Sequence, residues 1–304
     1  MREKRGWRIS GTGSGDNVTS KPASPATWKA TRFYRWLAVP PLAFVALFFI
    51  VPMVTLLLRS FTDPTVGFSN YRRVFFGGPY VEVFWLTIET ATVVVVLCLV
   101  LAYPLALVMT AARGSLLRIM GALVLIPLWT SVVIRSYAWM VIFQRQGVLN
   151  QALVATGLTD GPINFIPGSF AVHVGMVHIM LPFMILPLVA SMRTIDRSLL
   201  TAASVMGATP WVGFLRIFLP LSLPGVAAGS ALVFMMSLGF FITPALLGGP
   251  RHMMAAVLIE QQANALLDWG LASALSAVLL AITIVIYLGY LQITRSARRG
   301  GVNA

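Results

Sequence analysis

The sequence predicts an all-α membrane protein with six transmembrane helices. Of its 304 residues, 58% are hydrophobic and only 10% are charged, whereas soluble domains average about 25% charged residues. Each predicted segment has the roughly 20 apolar residues that a helix needs to cross about 30 Å of hydrocarbon. The six segments lie near residues 36–58, 83–109, 117–143, 170–190, 225–247 and 271–293.

The spans themselves indicate a bundle rather than lone anchors. The first is too long for a signal-peptide core and no small-residue cleavage site follows it, so it is expected to be retained. Prolines recur in or near the spans, and they are tolerated where neighbouring helices satisfy the freed carbonyls. These prolines are Pro40, Pro41, Pro52, Pro104, Pro127, Pro182 and Pro187.

The two ends of the chain differ in composition from this transmembrane domain, which we place at 36–294. Residues 1–35 are rich in Gly, Ser, Thr and Lys without an apolar period. Such a composition is typical of a disordered segment, here a basic cytoplasmic tail. Residues 295–304 are expected to form a second, short cytoplasmic tail.

The positive charge is distributed as a topology signal. The net charge is +13, and Lys4, Lys21 and Lys29 all precede the first span. Arginines dominate the second and fourth loops and the carboxyl end, so these regions and both termini are expected to be cytoplasmic. This distribution does not form a basic groove, which excludes a nucleic-acid partner. The arginines elsewhere are Arg59, Arg72, Arg73, Arg135, Arg145 and Arg251.

The cytoplasmic loop at 191–224 is predicted to form a short helix–turn–helix. Residues 199–206 are good helix formers, with the small Ala202 and Ala203 on one side. Gly207 permits a turn or a close approach, and Pro210 stands at a position favourable for starting a second helix. From these residues alone, the loop is either a protein-docking surface or an ordinary amphipathic connector.

The same loop contains a spaced motif. Its residues fit the pattern Ala-Ala, three residues, Gly, nine residues, Ile-x-Leu-Pro. This pattern resembles the EAA loop of the membrane subunits of bacterial ABC importers, which docks on a separate ATPase. The family's Glu is replaced here by Thr201, which removes one charged partner. The docking residues that the resemblance implies are Thr201, Ala202, Ala203, Gly207, Ala208, Ile217, Leu219 and Pro220.

The resemblance implies a type I importer permease with cytoplasmic coupling helices in a bacterial inner membrane. It also implies a second permease subunit, two ATPase subunits that bind ATP and Mg, and a periplasmic substrate-binding protein. The chain itself is expected to have no cofactor and no catalytic residues, since a Walker A loop needs a lysine and none follows Lys29. The alternatives are a secondary transporter or channel that is not driven by ATP, or an intramembrane enzyme.

Other segments resemble the spermidine/putrescine permease subfamily. These are residues 134–139 with 147–150, residues 181–188 and residues 239–249. The implied solute is a polyamine or another small amino-containing compound. Some polyamine members carry an Asp where this chain has Phe240, so one carboxylate that would pair with an ammonium is missing.

Glu89 is the most notable polar residue within a span. A carboxylate in the hydrocarbon costs about 2.5–3.5 kcal/mol on insertion scales and needs a partner or a water-filled lumen. It either faces a cationic solute, pairs with Arg135, or lies near the outer interface. His173 and His178 are five residues apart, a spacing that does not suit a metal site on one helix face. Aromatic side chains either line the pathway and stack on a cation or pack internally. The candidate pathway residues are Glu89, Arg135, Tyr137, Trp139, Phe240, Phe241 and Thr243.

Overall fold

The computed structural model describes residues 37 and 39–300, with side chains up to residue 292. The predicted tail at 1–35 lies outside the described residues, and so do residues 301–304. The chain divides into two units, Met1–Thr55 and Leu56–Ala304. The described part is helical and contains no strand.

The helices are numbered in chain order. They are α1 (Val39–Thr62), α2 (Ser69–Phe76), α3 (Tyr80–Ala111), α4 (Gly114–Trp129), α5 (Val132–Phe143), α6 (Val148–Ala155), α7 (Ser169–Arg193), α8 (Ser198–Val205), α9 (Pro210–Leu238), α10 (Ile242–Leu247), α11 (Ala255–Glu260) and α12 (Trp269–Gly300). Five of the described helices are long and apolar enough to cross a membrane, namely α1, α3, α7, α9 and α12. The pair formed by α4 and the helical segment from Val132 makes a sixth span if it is counted as one. The predicted all-α architecture is therefore confirmed.

The predicted third span, 117–143, is wrong as a continuous helix. Helix α4 ends at Trp129 and α5 begins at Val132, with a bend of 97° between the two segments. Pro127 lies in the last turn of α4, and its carbonyl accepts both the Thr130 N–H at 3.2 Å and the Thr130 hydroxyl at 2.8 Å. Thr130 and Ser131 then adopt extended ψ values of 144° and 136°. The chain therefore turns sharply within the third span.

The predicted fifth span is displaced toward the amino terminus of the chain. Its helix α9 begins at Pro210 rather than at residue 225, and ends at Leu238 rather than at Leu247. Residues Phe214–Phe218 form a π turn, in which the Leu219 N–H bonds to the Phe214 carbonyl. This turn directly precedes Pro220, which has no N–H to donate, and π turns commonly absorb such irregularities. The second half of the predicted loop at 191–224 is therefore part of a span.

Helix α7 is the centre of the bundle. It packs against α3 and α9. In its most apolar 18-residue stretch, 61% of the residues are buried within the chain. Two glycines of α9 allow this helix to lie close to α7. A Cβ at Gly225 would lie 2.5 Å from Ser191 Cβ, and one at Gly229 would lie 2.7 Å from Met184 Sδ. Small residues at such contacts are what membrane helices use to pack closely.

Polar contacts of α2 fix one end of the bundle. The Asn70 amide donates to the carbonyls of Ser60 at 3.1 Å and Asp63 at 2.6 Å. Arg73 Nη1 lies 2.9 Å from Asp268 Oδ2 at the start of α12. These contacts connect the end of the first span, α2 and the last span.

The glycine contact predicts a stability difference between two alanine variants. Gly225→Ala places a Cβ against Ser191 and is expected to destabilise the protein by about 1–3 kcal/mol through overpacking. Gly121→Ala in α4 is the control, because an added Cβ there meets nothing within 4 Å. The thermal unfolding midpoint of the purified protein in detergent should fall for Gly225→Ala alone. Equal midpoints for the two variants would contradict the packing described.

Candidate functional site

The helix–turn–helix predicted in the loop at 191–224 is present. Helix α8 ends at Val205, and Gly207 adopts a φ of +85°, a left-handed conformation that side chains with a Cβ avoid. Thr209 Oγ1 accepts the Val212 N–H at 3.4 Å, which caps the start of α9 at Pro210. We call the segment 205–207 the docking turn.

The docking turn and the residues after it expose apolar side chains. Val205 is 83% exposed, Met206 81% and Trp211 67%. Ala203, by contrast, is only 4% exposed and faces the protein. An uncharged, apolar projection at the end of a helix is suited to contact with another protein surface.

The motif residues are divided between this projection and α9. Thr201, Ala202 and Gly207 are exposed, and Ala208 is half-buried. The Thr201 hydroxyl donates to the Arg197 carbonyl at 3.3 Å. Ile217, Leu219 and Pro220 lie within α9, the first two half-buried and the third exposed.

The carboxylate of Asp196 hydrogen-bonds the first residue of α8. Asp196 Oδ1 accepts the Ser198 N–H at 2.9 Å. The hydrogen bonds from Ser198 lower the pKa of the Asp196 carboxyl. The stabilisation from the ionised carboxylate is therefore complete above the ordinary carboxyl pKa of about 3.9 and is lost as the pH falls through the lowered value.

Arg197 makes a contact that sequence reasoning missed. Its Nη2 donates to the Thr110 carbonyl, in the last turn of α3, at 2.7 Å. A cavity of about 430 Å³ lies beside this contact, lined by Leu107 from α3, Leu200 from α8 and Phe214 from α9, among others. The sequence gives no signal for the contact, because the two residues are 87 positions apart.

The candidate pathway residues of α5 and α10 meet at a buried hydrogen bond. The hydroxyls of Ser136 and Thr243 are 2.7 Å apart, and both residues are fully buried. Thr243 thus joins the segment after α9 to α5, the second half of the bent third span. Gly175 of α7 packs directly against Thr243, since a Cβ there would lie 2.7 Å from Thr243 Cγ2.

Arg135 and Trp139 point into the protein. Arg135 is 9% exposed, and its Nη2 donates to the Thr130 carbonyl at 3.3 Å. Its Nε and Nη1 are buried with no hydrogen-bond partner among the described residues. Trp139 stacks on Phe143 at 5.1 Å and donates its Nε1–H to His178 Nδ1 at 3.2 Å. In this conformation both residues have internal contacts.

The remaining aromatic candidates are more accessible. Tyr137 is 51% exposed and Phe241 39% exposed, whereas Phe240 is half-buried against the core. Phe240 and Phe241 lie between the end of α9 and the start of α10, where Gly239 ends the helix. The structure therefore brings Thr243 and α5 together but leaves Tyr137 and Phe241 on the surface of the single chain.

Glu89 is exposed on α3. The proposed Glu89–Arg135 pair is not formed, because the one ion pair among the described residues is Arg73–Asp268. Glu89 and Glu82 line a groove of about 830 Å³ together with Trp85 and Arg251. Glu89 is nine residues beyond Tyr80, which is about 13 Å along the helix.

Comparison with known proteins identifies the family. No protein-family model matches the chain. The spermidine/putrescine transport system permease PotB of Haemophilus influenzae is 33% identical over 225 residues, covering 73% of this chain and 78% of the relative. PotB of Escherichia coli strain K12 is 33% identical over 239 residues, covering 79% and 86%. The chain belongs to the ABC importer permease family.

A solved structure agrees in fold. A permease chain of a bacterial alginate ABC transporter, crystallised with an alginate-bound periplasmic protein, superposes with a TM-score of 0.73. It covers 89% of this chain and 96% of its own length at 19% identity. The type I importer permease fold is thus confirmed, and the chain is a multi-pass permease subunit of an inner-membrane ABC transporter.

The Ser136–Thr243 bond predicts a non-additive pair of substitutions. Thr243→Val keeps the side-chain volume but leaves the buried Ser136 hydroxyl without this partner, which costs about 1–3 kcal/mol. The double variant Ser136→Ala with Thr243→Val removes both groups and is expected to lose less than the sum of the single variants. Thermal unfolding in detergent measures all three. Strict additivity would show that the two hydroxyls are not coupled.

Proposed function

We propose that this chain forms half of the translocation pathway of an ATP-driven importer and binds a separate ATPase through its docking turn. The observation that carries the proposal is the exposed, uncharged turn, with Val205 83% and Met206 81% exposed. An apolar projection in water at the membrane's inner face is costly unless another protein covers it.

In the proposed importer, a separate ATPase subunit binds and hydrolyses ATP. A Walker A loop requires a lysine after its glycines, and the last lysine here is Lys29. ATP and Mg are therefore bound by the partner ATPase, and this permease needs no cofactor of its own. The arginines of the 191–224 loop support a cytoplasmic location for the docking turn and for both termini.

A second permease subunit completes the pathway. Glu89 is exposed on the single chain although it lies about 13 Å inside α3. A carboxylate within the hydrocarbon is costly and requires a water-filled lumen or a protein partner. We infer that the groove containing Glu82, Trp85 and Glu89 faces the second subunit and the lumen between the two.

The solute of this importer is proposed to be a small cationic amine. Relatives named spermidine/putrescine permeases support this class, and so do the carboxylates and Trp85 in the groove, since an ammonium is attracted to both carboxylates and aromatic faces. A periplasmic binding protein delivers the solute, in line with the periplasmic protein in the alginate transporter complex.

The docking turn predicts a selective loss of ATPase binding. Gly207→Val forces a Cβ into a left-handed conformation, which costs about 1–2 kcal/mol and reshapes the turn. Gly157→Val is the matched control, because Gly157 has a φ of +68° beyond α6 and an added Cβ at either glycine meets nothing within 4 Å. ATPase co-purified with the permease, and its hydrolysis rate, should fall for Gly207→Val alone. Full ATPase recovery with Gly207→Val would refute docking through this turn.

The groove predicts a charge-dependent loss of uptake. Glu89→Gln removes the carboxylate that attracts an ammonium and is expected to reduce putrescine uptake roughly tenfold, equivalent to about 1.4 kcal/mol. Glu260→Gln serves as the control, because Glu260 lies on α11 outside the groove lining and accepts an Asn264 hydrogen bond at 3.4 Å. Uptake of radiolabelled putrescine into proteoliposomes measures the effect. Unchanged putrescine uptake with Glu89→Gln would show that the Glu89 carboxylate does not contribute to the pathway.

A further inference from the structure

The amino-terminal end of α8 is connected to the second span by the Arg197 side chain. Arg197 Nη2 donates to the Thr110 carbonyl at 2.7 Å. Thr110 lies in the last turn of α3, where helix carbonyls lack intrahelical partners and carry partial negative charge. A guanidinium is a suitable donor for such a carbonyl because it is always charged and hydrogen-bonds over a long reach.

A cavity beside the Arg197–Thr110 contact leaves few other contacts between α8 and α3. The cavity of about 430 Å³ is lined by Leu107 and Ala111 from α3 and by Leu200 and Ser204 from α8, as well as by Arg197 itself. Close side-chain packing therefore does not fill the space between the two helices. A displacement of α8 is transmitted to α3 through this polar contact more than through packed apolar groups.

Helix α9 has its own connections to α3. The Tyr103 hydroxyl lies 2.9 Å from Ser222 Oγ, and the Tyr103 and Phe214 rings meet edge to face at 6.3 Å between centroids. The two sides of the docking turn are thus attached differently. The side that continues into α9 is attached through rings and hydroxyls within the bundle, whereas α8 reaches α3 through Arg197.

We propose that Arg197 is a positioning residue that makes α8 and the inner end of α3 move as one body when the ATPase displaces the docking turn. This inference rests on the docking function proposed above. Thr201, one helical turn after Arg197, donates only to the Arg197 backbone carbonyl. A Glu at position 201, as the family resemblance would place there, would compete for the guanidinium, since opposite charges four residues apart on a helix attract.

A distance measurement between α3 and α8 tests this proposal directly. Spin labels are attached at Val108→Cys on α3 and Leu199→Cys on α8, both exposed positions, while the single native Cys98 is buried and stays unlabelled. In the full chain, the distance distribution is expected to be narrow and to stay narrow when ATP drives the assembled complex. With Arg197→Ala the distribution should broaden at least about twofold, because a charge-assisted hydrogen bond is lost.

Two further variants test whether the broadening comes from the loss of the Arg197 contact itself. They distinguish it from the loss of any positive charge in the loop and from a general disturbance of the structure. Arg193→Ala removes an exposed arginine of the same loop, at the end of α7, and should leave the distribution unchanged. Arg197→Lys keeps a donor and should restore much of the narrow distribution. An Arg197→Ala distribution as narrow as that of the wild type, or equal broadening by Arg193→Ala, would overturn the proposal.

The experiment also distinguishes the two proposals from each other. Loss of the docking function would appear as wild-type permease that does not retain the ATPase during purification. The α3–α8 distance is measurable in either case, because the label pair lies within this chain. A narrow wild-type distribution that broadens with Arg197→Ala supports the role of Arg197 in joining the helices, and a wild-type α3–α8 distance that stays unchanged when ATP drives the assembled complex supports their movement as one body.

Discussion

The close approach of α9 to α7 at Gly225 and Gly229 is the contact on which the remaining structure depends. Helix α9 runs from Pro210, directly after the docking turn, through a π turn to Leu238. Because it is one helix that touches the most buried helix through glycines, a displacement of its Pro210 end is transmitted to α7. A looser, side-chain-filled contact would absorb small displacements before they reached α7.

The carboxyl-terminal end of α9 leads to the bend in the third span. After Gly239 the chain forms α10, whose Thr243 hydroxyl bonds to Ser136 of α5. Ser136 follows the 97° break near Trp129. In the proposed importer, motion at the inner turn is therefore carried along α9 to the region where the candidate pathway residues lie. Phe240 and Phe241 lie between α9 and α10, so a displacement of α9 would move their side chains.

The sequence predicted the spans and the helix–turn–helix, because apolar length and Gly207 are local signals. It failed where tertiary context decided the outcome. Pro127 was compatible with a kinked continuous helix, and only the extended Thr130 and Ser131 make it a break. The sequence predicted a helix beginning at Pro210, but its continuity with the fifth span was missed because Pro220 usually argues against a helix interior, and the π turn before it offsets that penalty. The Arg197–Thr110 contact joins distant residues and has no sequence pattern at all.

The dependence of uptake on ATP hydrolysis tests the central claim most directly. The permease, its second subunit and the ATPase are reconstituted in proteoliposomes, and radiolabelled putrescine uptake is followed in the presence of the binding protein. The account predicts uptake with ATP on the ATPase side, and none with a non-hydrolysable analogue or with the ATPase omitted. Uptake that continues at the same rate without the ATPase, driven by an ion gradient alone, would contradict it.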